Sequence, residues 1–108
     1  VGSEMCIRDS VQALASTSAP AAPTGLGVAN LTGGVARVTL TASSSANIWK
    51  TEVRRGATLV ATIYTDPNQA VSFDDACGAG TFNWTARSIN VSGVQNAADA
   101  GPVAQTIT

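Results

Sequence analysis

Histidine is absent from the 108 residues of this chain, and charged residues make up only 12% of it. The first absence removes the commonest general base and the commonest transition-metal ligand together. The second, with a formal net charge of -1, leaves no electrostatic footprint for nucleic acid or for an anionic membrane surface. Cysteine occurs twice and methionine once, and the aromatics are Trp49, Tyr64, Phe73, Phe82 and Trp84 alone. A cysteine nucleophile needs a base beside it, so Cys77 has no obvious route to catalysis. No apolar run approaches the ~20 residues of a membrane-crossing helix. Glycine-rich phosphate loops, catalytic carboxylate pairs and the Arg-Gly-Asp tripeptide are missing as well. The expectation is a non-catalytic chain with no cofactor and no metal.

What is present is short, alternating and punctuated. Hydrophobic residues reach 44%, but many are alanine, so one small core is expected, with stability near the low end of ~5–15 kcal/mol. Three segments differ in character. Residues 1–10, VGSEMCIRDS, hold the single Met and one Cys and resemble translated adaptor sequence of the kind that contaminates metagenomic reading frames; they read as a non-native, disordered start. Residues 11–23, VQALASTSAPAAP, are rich in Ala, Ser and Pro and read as an interdomain linker. The alternative for Ala13-Leu14-Ala15, the end of a signal-peptide cleavage region, lacks an apolar stretch upstream. Residues 24–108 carry strand-like runs separated by Gly, Asn, Asp and Pro, the pattern of an all-β sandwich.

Within 24–108 the alternation assigns seven strands. The first covers about 24–30, and a Gly33-Gly34 turn leads to the second over 35–42, with Ala36, Val38, Leu40 and Ala42 inward. In the third, over 48–55, Lys50, Glu52 and Arg54 require water, so Trp49, Thr51 and Val53 are expected to face the core. The fourth covers 59–64, and the fifth 70–74 with Val71 and Phe73 inward. The sixth opens GTFNWTARSINVSG, where Phe82, Trp84, Ala86 and Ser88 share one face and Asn83, Thr85 and Arg87 the other. The seventh covers 102–108.

The opening Pro23-Thr24-Gly25-Leu26, the run GGVARVTLTA, the run EVRRGATLVATIYTDPNQAVSFDD and GTFNWTARSINVSG, in that order, resemble successive strands of fibronectin type III domains. The variety they resemble occurs in phage tail and baseplate proteins. The resemblance implies a seven-stranded antiparallel β-sandwich of immunoglobulin-like type. It further implies a structural spacer or surface-binding module of a longer phage or prophage tail protein, located in the virion or outside the cell. Its partners would be neighbouring domains of the same polypeptide and a host cell-surface glycan or protein. A fibronectin III spacer of a secreted bacterial polysaccharide hydrolase and a cell-surface adhesin module are the alternatives. Two positions depart from the family: Ala42 stands where a Trp is usual, and Phe82 where a corner tyrosine is usual, so that the corner hydroxyl is missing. Trp84 and Trp49 are expected to fill the volume left by Ala42.

The connections 43–47 and 91–101 fall at one end of such a sandwich, and the second, VSGVQNAADAG, reads as the longest and most flexible irregular stretch. Ser45, Asn47, Trp49, Val91, Val94, Gln95 and Asn96 are therefore the candidate binding residues. Trp49 carries two readings: an exposed anchor beside Val91 and Val94, or a cap on the core in phase with Thr51 and Val53. Asp66, Asp74, Asp75 and Asp99 offer hard oxygen ligands for calcium, or strand ends and turns. Cys77 reads as an unpaired thiol, the alternative being a disulfide to Cys6. The Asn30, Asn83 and Asn90 glycosylation patterns are short enough to arise by chance in a Thr-rich chain.

Overall fold

Seven antiparallel strands form the framework of the computed structural model, which describes residues 18–108. They are β1 (Thr24–Thr32), β2 (Val35–Thr41), β3 (Ile48–Arg55), β4 (Thr58–Tyr64), β5 (Ala70–Asp75), β6 (Gly80–Asn90) and β7 (Ala100–Ile107). A three-stranded sheet runs β1-β2-β5 and a four-stranded sheet runs β4-β3-β6-β7. The chain is thus an all-β sandwich of two antiparallel sheets. The expectations for residues 1–10 and for Cys6 lie outside the described residues.

Period-two patterning explains which faces meet. Ala36, Val38 and Leu40 of β2, Val53 of β3, Val71 of β5, Trp84 and Ala86 of β6, and Ile107 of β7 form one buried cluster. Phe73 and Phe82 pack against it from their expected faces. Trp84 is fully buried and is the bulkiest side chain in this cluster. Packing of that kind contributes roughly 1.5–3 kcal/mol for each large apolar side chain removed from water. The polar groups on the same faces are small: Thr51 Oγ1 and Thr65 Oγ1 pair at 3.2 Å, whereas the buried Ser88 hydroxyl has no hydrogen-bond partner among the described residues.

One side of the sandwich is laced shut between sheets. Gly34 N–H donates to Thr108 O at 2.9 Å, Gln105 Nε2 to Val28 O at 3.0 Å and Asn30 Nδ2 to Thr108 Oγ1 at 3.0 Å. These bonds hold β7 against β1 across the sheet boundary. Gly101 is required nearby, because its φ is +92° and a Cβ there would lie 2.7 Å from the carbonyl oxygen of Trp84. That close approach accompanies the register shift between Trp84 and Ala86 in the β6–β7 pairing.

One inward assignment is corrected. In the β3–β6 pairing Ile48 faces Asn90 and Lys50 faces Ile89, so Trp49 is the extra residue of a β-bulge. The bulge resets the alternation: Ile48 is buried and Trp49 is 42% exposed. Trp49 therefore does not occupy the space beside Ala42; among the two tryptophans, only Trp84 lies in the core.

Candidate functional site

The connection between β2 and β3 and the one between β6 and β7 meet at one end of the sandwich. Val91 N–H donates to Asn47 O at 2.9 Å, joining the two directly. The β2–β3 connection is fixed further: Asn68 N–H donates to Ser43 O at 2.9 Å, and Ser45 N–H donates to Ser43 Oγ at 3.1 Å.

The stretch 91–101, expected to be irregular and flexible, enters β7 at Ala100, and two buried asparagines pin the part before it. Asn90 Oδ1 accepts the N–H groups of Ser92 at 2.9 Å and Val94 at 3.0 Å. Its backbone N–H donates to Val94 O at 2.9 Å. Asn96 Oδ1 accepts Ser88 N–H at 2.6 Å, Asn96 N–H donates to Ser88 O at 3.0 Å, and its amide nitrogen donates to Ala98 O. Asn side chains that satisfy neighbouring backbone groups fix a turn without a sheet ladder. Asn96 is 2% exposed, so this candidate binding residue is a structural staple, and the flexible-loop expectation gives way to a braced one.

Part of the expected linker is docked at the same end. Pro20 and Pro23 are buried, Ala21 N–H donates to Ser45 Oγ at 2.9 Å, and Asn90 Nδ2 donates to Ser18 O at 3.3 Å. Ser45 is thereby engaged within the chain. Of the other candidates, Asn47 contributes its carbonyl to Val91, Val94 is half-buried, and Val91 and Gln95 are exposed.

Trp49 projects onto the outer face of the four-stranded sheet beside Tyr64, a residue the alternation of β4 turns outward but which sequence reasoning did not select. The two rings are 5.8 Å apart, centroid to centroid, and inclined at 47°. Lys50 Nζ stands 4.4 Å from the Trp49 ring centroid, within cation–π range. The signal for Tyr64 was its place one residue after inward Ile63, but its neighbour across the sheet is set by a non-local register.

Charges on the described surface are matched locally. Glu52 lies between Lys50 at 3.7 Å and Arg54 at 3.1 Å. Arg87 pairs with Asp99 at 2.9 Å, and that hydrogen bond raises the arginine pKa above its ordinary value. Arg37 pairs with Asp74 at 2.9 Å, and Arg55 with Asp75. Asp66 begins a turn, its carbonyl accepting Gln69 N–H at 3.2 Å and its N–H donating to Gln69 Oε1 at 2.9 Å. The four aspartates weighed for calcium thus serve ion pairs and a turn, and no group of three metal-ligating side chains forms among the described residues. Cys77 is a free, half-buried thiol. The described surface has no enclosed pocket, and no described helix is long and apolar enough to cross a membrane.

No protein-family model and no curated protein matches the chain. Among solved structures it is similar to the spore cortex lytic enzyme SleM of Clostridium perfringens, with a TM-score of 0.61 and 14% identity. The match covers 82% of this chain and 28% of that one. At that identity the likeness is one of fold. The chain spans little more than a quarter of the enzyme's length.

Proposed function

We propose that the chain is a non-catalytic module of fibronectin type III type, a structural spacer or surface-binding unit within a longer phage or prophage tail protein, placed in the virion or outside the cell. The observation that carries this reading is the strand order β1-β2-β5 against β4-β3-β6-β7, together with the ordered sequence runs that resemble such domains. The chemistry of the surface supports it: each lysine and arginine among the described residues already faces a carboxylate. Such a surface holds position between neighbours without a convergent site. A braced end, with residues 18–23 docked on it, suits a module joined in series to another domain.

A second reading draws on the structural neighbour, a lytic enzyme whose chain is matched over 28% of its length. A module of this fold would then accompany a catalytic domain in a secreted polysaccharide hydrolase. Coding sequence on either side of this segment separates the two. In-frame tail domains and adjoining tail-assembly genes support the first reading, whereas an in-frame hydrolase domain replaces it with the second. Within the parent protein, exchange for an unrelated sandwich of the same span is expected to preserve assembly. Failure of that exchange to assemble would overturn the spacer role.

A further inference from the structure

We propose that the outward pair Trp49 and Tyr64 is a stacking platform for an uncharged polysaccharide chain. This names the ligand class of the surface-binding role above and rests on that role. The first support is the bulge. Inserting Trp49 as an extra residue in β3 turns a large apolar ring into water while the smaller Ile48 takes the core position. A chain with so few aromatics places two of them side by side on an open sheet face, 42% and 65% exposed.

The second support is the row they belong to. Tyr64 faces Lys50 across β4–β3, Lys50 faces Ile89 across β3–β6, and Ile89 bridges to Gln95. With strands ~4.8 Å apart this row crosses the sheet for roughly 14 Å. It offers ring faces at one side, an aliphatic side chain in the middle and an amide at the far end. A pyranose chain has the complementary chemistry: apolar C–H faces to lie on aromatic rings and hydroxyl groups at the margins to meet Lys50 and Gln95.

Charge decides among polymers. The adjoining row, Glu52 and Arg87, is closed by Lys50, Arg54 and Asp99, so three cations stand against two anions, each cation already paired. An anionic polymer would have to displace those carboxylates, and a cationic one would meet the Lys50 ammonium at the ring face. An uncharged chain breaks none of these ion pairs, and the Lys50 ammonium over the Trp49 ring is a donor that its hydroxyl groups can meet.

The full chain is run in native gels containing hydroxyethyl cellulose and sedimented with chitin, with dextran sulfate as the polyanion. Retardation or depletion by either neutral glycan is expected. Trp49→Ala and Tyr64→Ala should each weaken it at least tenfold with circular dichroism unchanged, and Leu31→Ala, an exposed apolar residue on β1 of the other sheet, should leave it intact. Absence of binding to both glycans, binding that survives Trp49→Ala and Tyr64→Ala, or preference for dextran sulfate would overturn the proposal. Because the assay uses this chain alone, its failure leaves the spacer role and its assembly test untouched.

Discussion

Asp75 Oδ2 accepts the indole N–H of Trp84 at 3.0 Å, and the same carboxylate is bridged by Arg55 Nη1, 2.7 Å from Oδ1. Asp75 ends β5 in one sheet, while Arg55 and Trp84 belong to β3 and β6 in the other. The Arg55 guanidinium also lies 5.5 Å from the Phe82 ring centroid, and Phe82 meets Trp84 edge-on at 5.9 Å. One carboxylate therefore orients the largest core side chain and ties the two layers together at the end opposite the loop cluster.

Removing it should be costly. Asp75→Ala leaves a buried indole N–H and a largely covered guanidinium without their acceptor, so a loss of about 2–3 kcal/mol is expected. Asp75→Asn keeps an acceptor for the indole and should lose less. Urea midpoints measure both, and an alanine variant within about 0.5 kcal/mol of the parent would show that the bridge contributes nothing.

The docked arm gives a second expectation. Residues 18–23 bury two prolines, and Ala21 N–H to Ser45 Oγ and Asn90 Nδ2 to Ser18 O join them to the loop end. A chain lacking residues 1–23 should be less stable than one lacking residues 1–17 by about 1–2 kcal/mol, the worth of two net hydrogen bonds. Equal thermal midpoints for the two truncations would reduce the arm to a linker, as its composition suggests.

Composition is indeed what misleads there. An Ala, Ser and Pro stretch satisfies the chemistry of a linker, and only the tertiary position of Ser45 and Asn90 shows where its backbone groups go. The strands were legible for the opposite reason. In β2 and β6 one face is buried along the whole length, so period-two patterning identifies Ala36, Val38, Leu40, Trp84 and Ala86 without knowledge of their partners. Asn90 and Asn96 lie between these cases. They flank a Ser-Gly turn, which signals side-chain-to-backbone bonding; Asn90 continues the inward phase of Trp84, Ala86 and Ser88, whereas Asn96 reads as a loop residue until Ser88 is placed beside it.

The Arg37 and Asp74 pair on the outer face of β2–β5 predicts a pH response. A hydrogen bond from Arg37 holds the Asp74 carboxyl below its ordinary value. A depressed folded-state pKa stabilises the fold above the unfolded value, and that contribution is lost as pH falls through the folded one. The effect is small, since both side chains are about half exposed and solvent screens them. Carboxyl titration by NMR should place Asp74 low, and Arg37→Ala should move it upward; no upward movement would dissociate the shift from this pair.

The bulge supplies a prediction in which sequence phase and structure disagree outright. Strict alternation through Thr51 and Val53 places Trp49 in the core and Ile48 in water. The β6 register inserts Trp49 as the extra residue and reverses both, and nothing local to β3 announces it, because a bulge is defined by the partner strand. If the structural phase holds, Ile48→Ala removes buried methyl groups and costs about 2–4 kcal/mol. Trp49→Ala forfeits only a tilted ring contact and a partly solvated cation–π interaction, about 1 kcal/mol or less. Chemical denaturation of the two variants decides: the smaller aliphatic residue should be the more damaging loss, and the reverse order would restore Trp49 to the core and remove the aromatic platform with it.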